Sequence, residues 1–219
     1  MQILNLPPLY PILDAAQFLS ADPLAAMVRF TEDLLRGGAT LIQYRNKSAN
    51  GRAILAQARE LRRVTFGRAR LIMNDRTDLC LAAGCDGVHL GQEDLSPAAA
   101  RSILASALPD ASGEQREWWI GFSTHNLQQV ADAEQFPVDY IAVGPVFATA
   151  SKANPDPAIG LEGVRRARGA TSKPLVAIGG ITRENCRQVM EAGANSVAVI
   201  ADLVESPRTA TEQFLRILR

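Results

Sequence analysis

Eight short apolar runs rich in β-branched residues recur along the chain, and a helix-type segment follows most of them. LYPIL (9–13), TLIQY (40–44), RLIMN (70–74), DGVHL (86–90), WWIGF (118–122), VDYIAVG (138–144), KPLVAIG (173–179) and NSVAVI (195–200) read as buried strands, being too short for helices and bounded by turn residues. PLAAMVRFTEDLLRGG, ANGRAILAQARELRRV, SPAAARSILASAL and TRENCRQVMEAG carry helical spacing, several starting at a capping residue and ending in glycine. Strand and helix in strict alternation imply a parallel sheet, since each crossover must return the chain to the same end. Eight such units in 219 residues fit an α/β fold, a (β/α)8 TIM barrel forming one domain over 1–219. An open doubly wound sheet is the alternative. The third unit is the weakest, because its helix, TDLCLAAG, is very short.

Basic and acidic side chains balance, 23 against 23, so no global field points to nucleic acid or to a membrane surface, and any anion must be met by a local cluster. The apolar stretches fall well short of the ~20 residues that span a bilayer. The first residues, MQILNLPPLYPILD, show no basic leader followed by a hydrophobic region, so a cytoplasmic protein is expected. Cys80, Cys85 and Cys186 lack C-x-x-C spacing and are expected as small buried hydrophobes, not as a disulfide framework or zinc site.

In a barrel of this kind the loops after the strands share one face, which carries the active site. Gln43, Arg45 and Lys47 follow the second strand; Asn74, Asp75 and Arg76 the third; His89, Gln92, Glu93 and Asp94 the fourth; Ser123, Thr124 and His125 the fifth. Asp75 and Asp94 follow adjacent strands, which lie about 4.8 Å apart, so their carboxylates can reach one point, as magnesium requires. Taken alone they read equally well as a helix cap and a loop acid. Arg45 and Lys47, two apart in an extended segment, point the same way and suit a diphosphate.

The sixth strand leads into GPVFATASKANPDPAIG, long for such a loop, with Thr149, Ser151 and Lys152 in its middle; it reads as a lid or as a decorated surface loop. Gly179-Gly180 and the segment after the eighth strand, Ile200-Ala201, fit the phosphate site that barrels build from backbone N–H groups. His89 reads as a core histidine or, facing the mouth, a ligand contact. No acid completes a triad and no G-x-S-x-G surrounds Ser123, which excludes nucleophilic hydrolysis. Trp118 and Trp119 should point to opposite faces. One acidic pair, a cationic cradle and a separate monophosphate site suit the joining of two phosphorylated small molecules with loss of diphosphate.

The stretches Gln43-x-Arg45-x-Lys47, Asn74-Asp75-Arg76, GVHLGQEDL (87–95), Gly121-x-Ser123-Thr124-His125, DYIAVGPVFATASK (139–152), AIGGIT (177–182) and AGANSVAVI (192–200) resemble, in that order, those of the thiamine phosphate synthase family over nearly the whole chain. The resemblance implies a magnesium-dependent transferase that couples 4-amino-5-hydroxymethyl-2-methylpyrimidine diphosphate to hydroxyethylthiazole phosphate through a pyrimidinyl cation. It implies Mg2+ on Asp75 and Asp94. Arg45, Lys47, Asn74 and Lys152 would face the diphosphate; Gln43, His89 and Ser123 the pyrimidine; Thr149, Ala150, Ser151, Gly180, Ile200 and Ala201 the thiazole phosphate. Arg45, Lys47, Ser123 and Lys152 would form the catalytic set. Tyr44 and Asn46 fall inside the substrate-binding run, although they alternate away from the ligand. Ala201 stands where serine is frequent. Small-molecule substrates and a homodimer are implied as partners. The rivals are a thiazole tautomerase on the same barrel, which would not need the two acids, and a non-catalytic barrel that binds a phosphorylated metabolite.

Overall fold

The computed structural model describes residues 4–107, 116–149 and 157–219. Among them eight strands alternate with eight α-helices: β1 (Leu9–Asp14), α1 (Pro23–Arg36), β2 (Leu41–Arg45), α2 (Gly51–Thr65), β3 (Arg70–Asn74), α3 (Thr77–Ala83), β4 (Gly87–Leu90), α4 (Pro97–Ala105), β5 (Trp119–Thr124), α5 (Leu127–Glu134), β6 (Tyr140–Val143), α6 (Gly160–Ala170), β7 (Leu175–Ile178), α7 (Cys186–Glu191), β8 (Ser196–Val199) and α8 (Pro207–Ile217). Strands pair in parallel in chain order, and Leu9 of β1 lies opposite Val197 of β8, so the sheet closes. Closure overturns the open-sheet alternative, because no strand edge is left. No helix among the described residues is long and apolar enough to cross a membrane.

Several helix starts follow capping signals. Asp22, Asn50 and Ser96 each accept the N–H three residues on, from Ala25, Ala53 and Ala99 at 3.0, 3.0 and 3.3 Å. The expected helix at Thr182 begins later, at Cys186. The Asn185 side chain accepts from Thr182 N at 2.8 Å and donates to Gly180 O at 3.0 Å, which folds 180–185 into a turn before the helix can start.

Alternation along the strands creates two apolar cores. Ile42, Tyr44, Leu71, Met73, Trp118 and Ile120 face the helix ring, with Cys80, Cys85 and Cys186 among the buried residues there. Tyr10, Ile12, Leu41, Ile72, Trp119, Tyr140, Ala142, Val176 and Ala198 fill the barrel. The tryptophan pair therefore splits across the sheet. Inside, Gly121 is required by Tyr140, since a Cβ there would lie 2.1 Å from the ring's Cζ.

The N-terminal rim is held by a device used three times. Asp86, Asp139 and Asn195, each just before an even-numbered strand, accept a backbone N–H at the start of the strand before it, from Leu71, Ile120 and Leu175. An arginine from the preceding even-numbered helix clamps each: Arg62 on Asp86 at 2.8 Å, Arg101 on Asp139 at 2.7 Å and Arg168 on Asn195 at 2.9 Å. Asp86 also takes Arg116 at 2.8 Å. This fixes one end of the barrel and leaves the other free for loops of function.

Candidate active site

A cavity of about 580 Å³ opens at the C-terminal ends of the strands, a volume suited to a small metabolite. Gln43, Arg45, Lys47, Asn74, Asp75, His89, Asp94, Ser123, Thr149, Gly180, Ile200 and Ala201 all lie on its wall. Ala150, Ser151 and Lys152, expected with them, lie outside the described residues. Tyr44 and Asn46 are not on the wall. Tyr44 points outward into the helix layer, where its hydroxyl meets Gln57, and Asn46 Nδ2 donates to the same Gln57 oxygen at 2.9 Å. Their expected place in the substrate-binding run is corrected by the strand's two-residue period, which sends Gln43 and Arg45 one way and Tyr44 and Asn46 the other.

The acidic pair is assembled by the turns after β3 and β4. Asp75 adopts a left-handed backbone, φ 62°, unusual for a residue with a side chain but tolerated by aspartate. Its N–H donates to His89 O at 2.8 Å, which ties the turn after β3 to β4. The Asp94 carboxylate accepts Gly91 N–H at 2.7 Å. Burial, and then the facing Asp94 carboxylate, raise the Asp75 pKa above its ordinary value; Lys47, with Nζ 3.1 Å from Oδ2, opposes that shift. Among the described residues no third His, Cys, Asp or Glu joins them as a metal-binding group. Two carboxylates with every other position left to water or substrate oxygens fit a hard divalent cation such as magnesium better than zinc.

Arg45 is held by a partner that sequence reasoning missed. Asp14, at the end of β1 and opposite Arg45 in the ladder, forms an ion pair with its guanidinium and caps Ala16 N–H at 3.2 Å. Asp14 is 4% exposed, so the pair orients the fork rather than floating in solvent.

The floor is made by a second missed group, Tyr10 and Tyr140. Tyr10 Oη lies 2.9 Å from Tyr140 Oη and accepts from Gln43 Nε2 at 3.1 Å. Tyr140 Oη is 3.1 Å from His89 Nδ1, and His89 Nε2 is 2.8 Å from Ser123 Oγ. Burial lowers the His89 pKa to about 4, so the ring is neutral near pH 7, and burial also raises both phenols well above their usual range. The period-two alternation that puts Ile12 inward also puts Tyr10 inward, and the glycine at 121 marks room for a large neighbour. Those were the available signals.

The glycine pair has two duties. Gly179 and Gly180 take φ of 101° and 63°, and a Cβ on them would meet Pro145 at 2.5 Å and Ala148 O at 2.6 Å. The β6 loop is clipped there by Val146 N–H to Ile178 O at 2.8 Å and Phe147 N–H to Gly179 O at 3.0 Å. Glycine is therefore demanded by the loop's close approach as well as by a bare backbone at the cavity. Asp202 beyond β8 pairs with Arg183 at 3.0 Å and fixes the segment that carries Ile200 and Ala201.

A closed parallel barrel with carboxylates, cations and bare glycine backbone around one mouth belongs to the class of (β/α)8 proteins that handle phosphorylated small molecules. The family model for thiamine monophosphate synthase matches residues 9–203, and the chain belongs to that family. It is 52% identical over 215 residues to a thiamine-phosphate synthase of Koribacter versatilis, covering 98% of this chain and 97% of that one. A thiamine-phosphate synthase of Azorhizobium caulinodans is 41% identical over 186 residues, 83% and 81% of the two chains. Among solved structures, the thiamine phosphate pyrophosphorylase from Pyrococcus furiosus superposes with a TM-score of 0.80 at 32% identity, covering 96% and 95%.

Proposed function

We propose that this barrel is a magnesium-dependent transferase that joins 4-amino-5-hydroxymethyl-2-methylpyrimidine diphosphate to hydroxyethylthiazole phosphate, releasing diphosphate and forming thiamine phosphate. The observation that carries the reading is the acidic pair Asp75–Asp94 beside Lys47 and Arg45 at the mouth, in a chain similar over almost its full length to proteins named for this reaction.

Asp75 and Asp94 would hold the magnesium, which supplies positive charge to the departing diphosphate. The bond between the pyrimidine methylene carbon and the diphosphate oxygen breaks, its electron pair leaving with the oxygen. The thiazole nitrogen then gives its lone pair to that carbon. Arg45 and Lys47 face the charge that grows on the leaving group, so they act more strongly on the transition state than on the bound substrate. Gln43, His89 and Ser123 orient the pyrimidine at the floor. Thr149, Gly180, Ile200 and Ala201 hold the thiazole phosphate, Ala201 through its backbone only. The apolar wall of Ile12, Ala142, Val176 and Ile178 limits water at the cation. The tautomerase rival has no use for the acid pair. A homodimer and a cytoplasmic location are part of the same proposal.

The test mixes purified protein with both substrates and magnesium and follows thiamine phosphate as its fluorescent oxidised derivative, with a parallel sample in chelator. Product that disappears with chelator and returns with added magnesium is expected. Product that persists in chelator would remove the metal from the reading, and no product from substrates that bind would remove the reaction.

A further inference from the structure

Five side chains from five strands form one chain of hydrogen bonds through the barrel floor: Gln43, Tyr10, Tyr140, His89 and Ser123. Its direction follows from counting protons. An amide nitrogen only donates, and each phenol has one proton to give. Tyr10 accepts from Gln43, so the remaining partner for its own proton, among the described residues, is Tyr140. Tyr140, having accepted, gives its proton to His89 Nδ1. The neutral imidazole therefore carries its proton on Nε2 and donates it to Ser123 Oγ. Two groups at the cavity are left with fixed roles: Gln43 Oε1 can only accept, and the Ser123 hydroxyl proton is available to a ligand.

Tyr10 and Tyr140 are 1% and 0% exposed, so neither phenol faces bulk water. No link can reverse alone without setting donor against donor or acceptor against acceptor, and the four reverse together or not at all. We propose that Tyr10 and Tyr140 are positioning residues that lock His89 in its Nε2–H tautomer, so that the cavity offers an acceptor at Gln43 and a donor at Ser123 and selects an aminopyrimidine over its oxo counterpart. An aminopyrimidine presents an amino donor and a ring-nitrogen acceptor. The oxo form presents a carbonyl and a ring N–H, which inverts both contacts. The choice of ring rests on the function proposed above; the polarity of the chain does not.

The first experiment needs no substrate. The protein has two histidines, and in the second, His125, Nδ1 lies 2.9 Å from Gly144 O, a group that only accepts, which requires Nδ1–H. Imidazole 15N NMR of the ligand-free wild type at pH 7 should show His89 as the Nε2–H tautomer, with His89→Gln identifying its signals. Tyr140→Phe should turn His89 into a mixture while His125 stays as it was. Nδ1–H or an imidazolium at His89 in the wild type overturns the proposal, whether or not the protein makes thiamine phosphate. The second experiment compares kcat/KM for the amino- and oxo-pyrimidine diphosphates. The wild type should favour the amino form by about 10⁴, as expected where buried polar groups would be left unpaired, and Tyr140→Phe should shrink that ratio at least about tenfold. A ratio unchanged by Tyr140→Phe overturns the selective role.

Discussion

Gly121→Ala tests whether the barrel floor is as tightly determined as its contacts imply. The new methyl would lie 2.1 Å from Tyr140 Cζ and 2.4 Å from both Cε2 and Oη. Ordinary contact needs about 3.5 Å between carbons, so the ring must retreat by more than 1 Å. The retreat is blocked, because Tyr140 is fully buried, stacks on His89 with centroids 5.6 Å apart and meets Tyr10 edge-on at 6.0 Å. Overpacking costs about 1–3 kcal/mol, and pulling Tyr140 Oη from Tyr10 and His89 adds about 1 kcal/mol for each broken link. The sum, about 3–5 kcal/mol, should lower the thermal midpoint by roughly 10 °C in a chain of this size. Urea denaturation followed by circular dichroism reads the free energy, and differential scanning calorimetry reads the midpoint. If contact with Tyr140 is the cause, most of the penalty should vanish when the change is made in a Tyr140→Leu background. A loss below about 1 kcal/mol, or the same loss in both backgrounds, would refute the reasoning.

Gly169→Ala is the converse: exposed in α6, with nothing within 4 Å of the added methyl, it should stabilise by about 0.5–1 kcal/mol in the same denaturation assay. Asp86→Ala should cost about 3 kcal/mol, because Arg62, Arg116 and Leu71 N–H all lose their acceptor. Asp139→Ala should cost less, since its pair with Arg101 is about a third exposed, 33% and 31%. Asp75→Asn should abolish turnover yet raise the metal-free melting temperature. The folded-state pKa of Asp75 is raised, so the folded protein holds that proton above the unfolded value of 3.8, and ionisation costs stability as pH climbs from there through the folded value. Asparagine, which tolerates a left-handed backbone, removes that cost, and the Asn-minus-wild-type difference should be near zero below pH 3.8 and grow above it. The exposed Lys47 ion pair that is lost offsets little. A variant less stable than the wild type at neutral pH without metal would contradict this.

What the sequence revealed depended on distance along the chain. Strand identity and face come from local alternation, which is why Trp118 and Trp119 sort correctly, whereas Asp75 and Asp94 could be placed at one point because they follow adjacent strands. Asp14 ends the strand next to the one that carries Arg45, so the same adjacency could have found it, whereas Tyr140 could not be assigned to His89, because β6 and β4 are not neighbours and local pattern carries no trace of a contact across the barrel. The start of α7 was misplaced for the opposite reason: a very local interaction, the Asn185 side chain closing back on Thr182 and Gly180, overrode good helical spacing. The hidden partners alter the electrostatic argument. Two cations alone would make the mouth look ready for a diphosphate. Yet Arg45 faces Asp14 and Lys47 faces Asp75, with Asp94 beside them, so among the described residues three carboxylates stand against two cations in this cluster. An incoming anion meets a cluster with net negative charge, and its binding there is unfavourable until a divalent cation reverses the sign. That is a physical reason, independent of the family resemblance, for the proposal to place magnesium between the two aspartates and the diphosphate.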